Sequence, residues 1–309
     1  IVIGAVVLAI GSVMAGYLAG KGVLMSRLED RYVTVKGVAE MEMKADLATL
    51  PIRFSITAGD LKAGMGTLDE SAKLVTAYLA FAALRDNKLT LEQTLPVSER
   101  AWAERKGGGS LMFIDTTMSP KVDDLLKGVI VQSGNDASVV LAEAVGGSLD
   151  NFVAMMNKQA QAWGLKNTQF RNVTGLTEAG HYSSPRDVAT VAAKIITDFP
   201  DFYTLYSTRQ FSYNRIKQDN RNLLLGRDPT VDGMKTGYTD AAGYCLVASA
   251  VREMPNGQRR LVSVVLGTPI RQLAADLIGQ MIATSEKGMA EMPGQRFFPS
   301  EVWTPESEF

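Results

Sequence analysis

The earliest residues that could do chemistry are Ser71 and Lys73, in the stretch "ESAKLVTAY" at the start of an apolar run. A serine nucleophile and a lysine base on one helix must share a face, which requires the spacing S-x-x-K. Residues i and i+3 meet on a helix surface, whereas i and i+2 point roughly 200° apart around the axis. Here the serine and the lysine are two apart, Glu70 fills the position three before Lys73, and no S-x-x-K occurs elsewhere. Two further elements follow in order: Ser133-Gly134-Asn135, between two predicted helices, and Lys235-Thr236-Gly237, just before a predicted hairpin. Singly, SGN reads as a helix cap and KTG as a strand-to-turn step; the ordered set is far more specific. His181 is the only histidine and Cys245 the only cysteine. That excludes a multi-histidine metal site, a second histidine in any relay, a cysteine metal cluster and an intrachain disulfide. Cys245, in the apolar run "GYCLVASA", reads as a buried structural thiol.

These residues need a scaffold. "KLVTAYLAFAALRDNKL" is apolar on nearly all sides and predicts a central helix. "VDDLLKGVIVQ" predicts a second. "NDASVVLAEAVGG" predicts a third, with Asn135 or Asp136 as its cap and Gly146 as its end. A fourth, "SLDNFVAMMNKQAQAWGL", has Ser148 as cap and Phe152, Met155, Met156 and Trp163 on one face. A fifth, "SPRDVATVAAKIITDF", starts with Ser184 as cap and Pro185 at the first helical position. "GYCLVASAVRE" and "QRRLVSVVLGT" then predict a hairpin with Asn256-Gly257 at its tip. Helices followed by an antiparallel pair predict α+β layering. The segment 271–309 is less patterned and reads as a frayed or docked tail.

At the other end, residues 1–20 carry no charge and are long enough to cross a bilayer as a helix, an anchor or export signal. Residues 31–58 alternate apolar and polar and predict two or three half-buried strands. The balance of 32 Lys+Arg against 33 Asp+Glu shows no basic stripe, so nucleic acid is not an expected partner.

"KLVTAYLAF", "LLKGVIVQSGNDASVVLAEAVGGS", "GLKNTQFRNVTGL", "HYSSPRDVA" and "DPTVDGMKTGYTDAAGYCLVASA" together resemble the serine-type D-alanyl-D-alanine carboxypeptidases, the low-molecular-mass penicillin-binding proteins of peptidase family S11. The resemblance implies a transpeptidase/β-lactamase-like α+β domain over about 65–270, an antiparallel sheet with helices; the apolar length of residues 1–20 adds a preceding transmembrane helix. The resemblance implies no cofactor and no metal. In that family the nucleophile stands at a helix N-terminus, where the dipole favours a developing anion, and a partly desolvated lysine acts as base. Carried over, the catalytic set is Ser71, Lys73, Ser133 and Asn135: Ser133 passes a proton to the leaving amine, and Asn135 holds the substrate amide. Lys235 and Thr236 bind the terminal carboxylate, with Gly237 allowing close backbone approach; Arg221 matches a family arginine near that carboxylate and reads equally well as a surface salt bridge. His181 matches a structural position. The implied partners are a peptidoglycan pentapeptide ending in D-Ala-D-Ala and β-lactams, met at the outer side of a cell membrane to which the first helix anchors the chain.

Aligned on "KLVTAY", the family pattern puts serine at position 70, where this chain has Glu70. "DRYVTVKGVAEMEMKADLA" resembles the start of SIMPL-domain proteins and marks a segment of about 31–60 that stands where the family's opening strands belong, joined at about 60–72. The expected function is an acyl-enzyme carboxypeptidase acting on stem peptides. The alternative is an impaired member that only binds D-Ala-D-Ala or β-lactams, with a Glu70–Lys73 ion pair raising the lysine pKa. A fusion without selected function and a β-lactamase complete the alternatives.

Overall fold

The structure, a computed structural model, describes residues 32–37, 47–48, 52–57, 69–254 and 257–286. The expected membrane segment 1–20, the join before residue 69 and the end of the tail from 287 lie outside the described residues, as does Asn256 at the hairpin tip. The chain divides into two units, Ile1–Lys36 with Arg53–Gly64, and Gly37–Ile52 with Met65–Phe309. Three strands form in the alternating segment: β1 (Tyr32–Gly37), β2 (Leu47–Ala48) and β3 (Ile52–Thr57). β1 pairs with β3.

In the larger unit the predicted central helix is α1 (Asp69–Arg85). Ala72, Leu74, Val75, Ala77, Ala80 and Phe81 are all fully buried, so the helix is wrapped on every side, as its uniform apolarity requires. Tyr78 packs edge-on against Trp163 and Phe199, and its hydroxyl donates to Asp198 at 2.8 Å. Around it stand α2 (Glu99–Ala103), α3 (Val122–Lys127), α4 (Asn135–Gly146), α5 (Leu149–Ala162) and α6 (Pro185–Asp198), with a single turn α7 (Pro200–Tyr203). The Ser148 and Ser184 hydroxyls accept from Asn151 N and Asp187 N, the caps the sequence predicts.

The cap of α4 differs from expectation. Gly134 holds the cap position, and the helix ends into left-handed Gly147. The Asp136 carboxylate instead accepts from the backbone N–H groups of Met112, Phe113, Ile114 and Ala137, tying a distant loop to the helix start.

A small hairpin of β4 (Gln210–Tyr213) and β5 (Ile216–Asp219) precedes the main strands β6 (Val231–Thr239), β7 (Gly243–Met254) and β8 (Gly257–Thr268). The main sheet has the order β2-β8-β7-β6. β6, β7 and β8 are antiparallel, as expected; β2 corrects the expectation, running parallel to β8 through Leu47↔Arg260 and Ala48↔Leu261. The edge strand thus comes from the segment preceding the helical domain and pairs over only two residues.

The period-two alternation of β7 separates two cores. Cys245 and Val247 join the α1 side, whereas Leu246, Ala248 and Ala250 join a second cluster. That second face is covered by α8 (Arg271–Glu286) through Ala274, Ala275, Ile278 and Ile282. The expectation of a loosely patterned tail from 271 is therefore corrected: its first sixteen residues are a helix docked on the sheet. Among the described residues no single helix is long and apolar enough to cross a membrane.

Candidate active site

The three sequence elements converge where the start of α1, the turn before α4 and the β6 strand meet. A cavity of about 290 Å³ opens there, lined by Ser110, Ser133, Asn135, Arg221, Thr236 and Gly237, with Tyr238, Tyr244, Cys245 and Arg271 among its other walls. Lys73 and Lys235 lie beneath it, 1% and 2% exposed.

Ser133 reaches the cavity through a local distortion. After α3 the backbone widens into a π-turn over Gly128–Gln132 and ends at Ser133, which has a left-handed φ of 65°. Such insertions and positive φ values at non-glycine residues concentrate at functional turns. The Ser133 hydroxyl accepts from Lys235 Nζ at 2.8 Å, and that ammonium also donates to the Thr236 carbonyl at 2.7 Å. Burial, then the nearby Arg221 charge, lower the Lys235 pKa to about 7 against the pull of Glu70. Asn135 is 1% exposed, and neither its Oδ1 nor its Nδ2 has a hydrogen-bond partner, so a complete amide stands ready at the cavity wall. Gly109 crosses beside it with φ of 89°; a Cβ there would lie 2.7 Å from Asn135 Nδ2.

Arg221 follows β5 in a loop pinned to β6 by Asn222, whose Nδ2 donates to the Gly233 carbonyl at 3.0 Å. Its guanidinium donates to the Ser110 hydroxyl. Two cations, Arg221 and Arg271, thus line the cavity, and Lys235 is tied to the Thr236 carbonyl.

The α1 side is different. The helix is regular from Asp69, so Ser71 and Lys73 lie on different faces, and the irregular first turn that a Ser71 nucleophile needs is not formed. Ser71 is 1% exposed and is not among the residues lining the cavity. Lys73 Nζ donates to the Thr174 carbonyl at 2.6 Å. Burial, then the charges of Lys235 and Arg221, hold its pKa well below the ordinary lysine range, the reverse of the rise expected from a Glu70 partner.

Glu70 is fully buried, and neither carboxylate oxygen makes a hydrogen bond of normal geometry; the donors that act on it are its own backbone N–H and the Cys245 thiol. Desolvation pushes its pKa up to about 7, opposed by its own backbone N–H and by the charge of Lys235. It lies against the KTG strand: a Cβ on Gly237 would be 2.0 Å from Glu70 Oε2 and 2.9 Å from Glu70 N. So the close approach allowed by Gly237 is to this side chain. Cys245 is buried beside Glu70, and desolvation and that carboxylate keep its thiol protonated.

His181 lies away from the cavity, 3% exposed, accepting from Arg171 N at 3.3 Å. Burial lowers its pKa to about 4, so it is neutral and structural in character. Sequence reasoning did not single out Ser110, Tyr244 or Arg271. The "GGGS" cluster before Leu111 signals a close backbone passage; Arg271 had no signal within a segment read as tail.

A family model described as D-alanyl-D-alanine carboxypeptidase matches residues 70–269. The chain is similar to D-alanyl-D-alanine carboxypeptidase DacA of Haemophilus influenzae, 46% identical over 198 residues, 64% of this chain and 50% of the relative. It is also similar to DacC of Escherichia coli, 44% identical over 199 residues, 63% of this chain and 49% of the relative. The chain spans about half the length of these curated relatives. Among solved structures, penicillin binding protein 5 from Haemophilus influenzae aligns with a TM-score of 0.68 at 38% identity, covering 81% of this chain and 68% of the other. Penicillin-binding protein D2 from Listeria monocytogenes in the ampicillin bound form aligns with a TM-score of 0.62 at 27% identity, covering 74% and 89%.

Proposed function

Since this chain belongs to the D-alanyl-D-alanine carboxypeptidase family, we propose that its cavity recognises peptidoglycan stem peptides ending in D-Ala-D-Ala, and β-lactams, with the acylation step impaired at Glu70. The observation that carries the reading is the Lys235–Ser133 hydrogen bond of 2.8 Å, which joins KTG to SGN beneath a cavity also bordered by Arg221. In this reading Lys235, Thr236 and Arg221 take the terminal carboxylate, because charge-assisted donors on three sides fit a planar anion. Asn135 pairs with the ligand amide through its two unpartnered atoms. Ser133, holding a hydrogen bond from Lys235, is placed to pass a proton to a leaving amine. Lys73, desolvated and shifted toward its neutral form, retains the character of a base.

What the site lacks is a hydroxyl at position 70. A carboxylate cannot form the ester on which hydrolysis through an acyl-enzyme depends, and its negative charge opposes the oxyanion that would develop beside it. The ligand then binds reversibly. In this reading the chain works outside the cytoplasm, where its substrate class is met, with the apolar segment 1–20 as the anchor.

A second reading, turnover through Ser71, draws on the lowered pKa of Lys73, which suits a working base. One experiment separates the two. The 309-residue chain is incubated with benzylpenicillin, and intact mass is measured beside equilibrium binding of N-acetyl-D-Ala-D-Ala. Saturable peptide binding without a covalent adduct is expected. A covalent adduct lost in Ser71→Ala establishes Ser71 as an acylated nucleophile instead, and the absence of any peptide binding removes the recognition reading.

A further inference from the structure

Lys235 has three ammonium N–H groups and spends two of them, on Ser133 Oγ at 2.8 Å and the Thr236 carbonyl at 2.7 Å. One donor remains. Two anions have a claim on it. Glu70 is a fully buried carboxylate whose oxygens accept no hydrogen bond of normal geometry, and it sits directly beneath the cavity floor. Gly237 and Cys245, paired across β6 and β7, line that floor, and Glu70 Oε2 lies where a Cβ on Gly237 would project. The other claimant is the carboxylate of a ligand arriving from above.

We propose that Glu70 makes capture of an anionic ligand by this cavity proton-coupled: the ligand carboxylate and the Glu70 carboxylate compete for Lys235, so the cavity binds the anion together with a proton on Glu70. The inference rests on the reading of the cavity as a carboxylate-recognition site and adds the residue that sets its charge selectivity. The proton comes from solvent; no covalent bond forms or breaks at a heavy atom.

The surroundings leave Glu70 few other ways to answer a second negative charge. On β6 it packs on Gly237, two residues beyond Lys235, whose charge acts on it, and on β7 it meets the protonated thiol of Cys245. Its own helix carries Lys73, which is desolvated and engaged with the Thr174 carbonyl. Arg221, on the loop after β5, is turned to Ser110. The acids that act on Lys73, Glu104 and Asp136, are committed to Arg100 and to backbone N–H groups respectively. A buried carboxylate that loses its share of one cation relieves the repulsion by protonation. Glu70 is already poised near neutrality, with a pKa of about 7. Lys235 titrates in the same region, so ligand binding also recharges it, and the Glu70 contribution must be read as a difference.

The test is calorimetry of N-acetyl-D-Ala-D-Ala binding in buffers of different ionisation enthalpy, for the wild type, Glu70→Gln and Glu70→Ala. At about pH 8 the wild type is expected to take up about one more proton per ligand than either variant, and its Kd to rise about tenfold more steeply per pH unit above pH 7. Two variants guard against a single one that fails to fold. Equal proton uptake and equal pH slopes in all three proteins overturn the inference while leaving the recognition reading standing. No binding by any of them at about pH 6 removes the recognition reading, and this inference with it.

Discussion

On the β6 side of the cavity Lys235 donates to Ser133 and Thr236, and Arg221 to Ser110. On the α1 side, packed against Gly237, the Glu70 carboxylate makes no hydrogen bond of normal geometry. A satisfied polar network is rigid and preorganised, whereas an unpaired buried charge costs stability and shifts its own titration. The two sides therefore answer different questions. In the proposed reading the β6 side is the one that recognises a carboxylate. The α1 side, in the same reading, keeps the helix and the desolvated Lys73 but carries a carboxylate at the position proposed for the nucleophile.

If that contrast is correct, changes on the two sides have different signatures. The largest concerns the base. In a protein carrying Glu70→Ser, adding Lys73→Ala should lower the rate of penicillin acylation by about 10³-fold, because a positioned general base contributes on that scale. Stopped-flow fluorescence with a fluorescent penicillin reads it directly, and an unchanged rate would detach Lys73 from the chemistry.

Next comes stability. Glu70 has a folded-state pKa of about 7, above its ordinary 4.5. Its contribution to stability is present below about pH 4.5 and is lost as pH rises to about 7. Glu70→Gln should therefore match the wild type near pH 4 and exceed it by about 3 kcal/mol near pH 8. Urea denaturation at both pH values measures this; a pH-independent difference would mean that Glu70 is not desolvated.

On the β6 side, Lys235→Ala should weaken binding of N-acetyl-D-Ala-D-Ala by about 30-fold, the loss of a charge-assisted hydrogen bond worth about 2 kcal/mol. Equal affinity in a fluorescence-polarisation titration would move the carboxylate site elsewhere. The smallest effect lies where the two sides touch. Gly237→Ala places a Cβ 2.0 Å from Glu70 Oε2 and should cost about 1–2 kcal/mol in thermal denaturation. In the Glu70→Ser background the cost should shrink, because the clashing oxygens are gone and only the backbone contact remains. An equal cost in both backgrounds would show that Glu70 does not pack on Gly237.

Much of this was legible in the residues. The apolar-all-round pattern from Lys73 predicts a helix buried on every side, and α1 is one. Ser148, Ser184 and Pro185 mark helix starts because capping is a local interaction. The order of SGN and KTG predicts their meeting, realised between Ser133 and Lys235 across a sequence separation of 102 residues. What stayed hidden depends on long-range partners. Asp136 looks like a cap, but the loop at 112–114 supplies its N–H donors. The segment from Arg271 has little periodicity of its own; its helix is held by Ala274, Ala275, Ile278 and Ile282 meeting Leu246, Ala248 and Leu261 on the sheet. The Lys73 pKa moves opposite to the expected rise because sequence shows the nearest acid but not the burial, which outweighs it. The parallel pairing of Leu47–Ala48 with β8 could not be read at all, since two residues carry no register signal.

The central claim is that the site is complete except for the group at position 70, and Glu70→Ser tests it most directly. Wild type and variant, both checked for cooperative unfolding, are labelled with a fluorescent penicillin and resolved under denaturing conditions. The account predicts a covalent band in Glu70→Ser and none in the wild type, a gain of at least about 10³-fold in labelling rate. A folded Glu70→Ser protein that labels no better than wild type would contradict it.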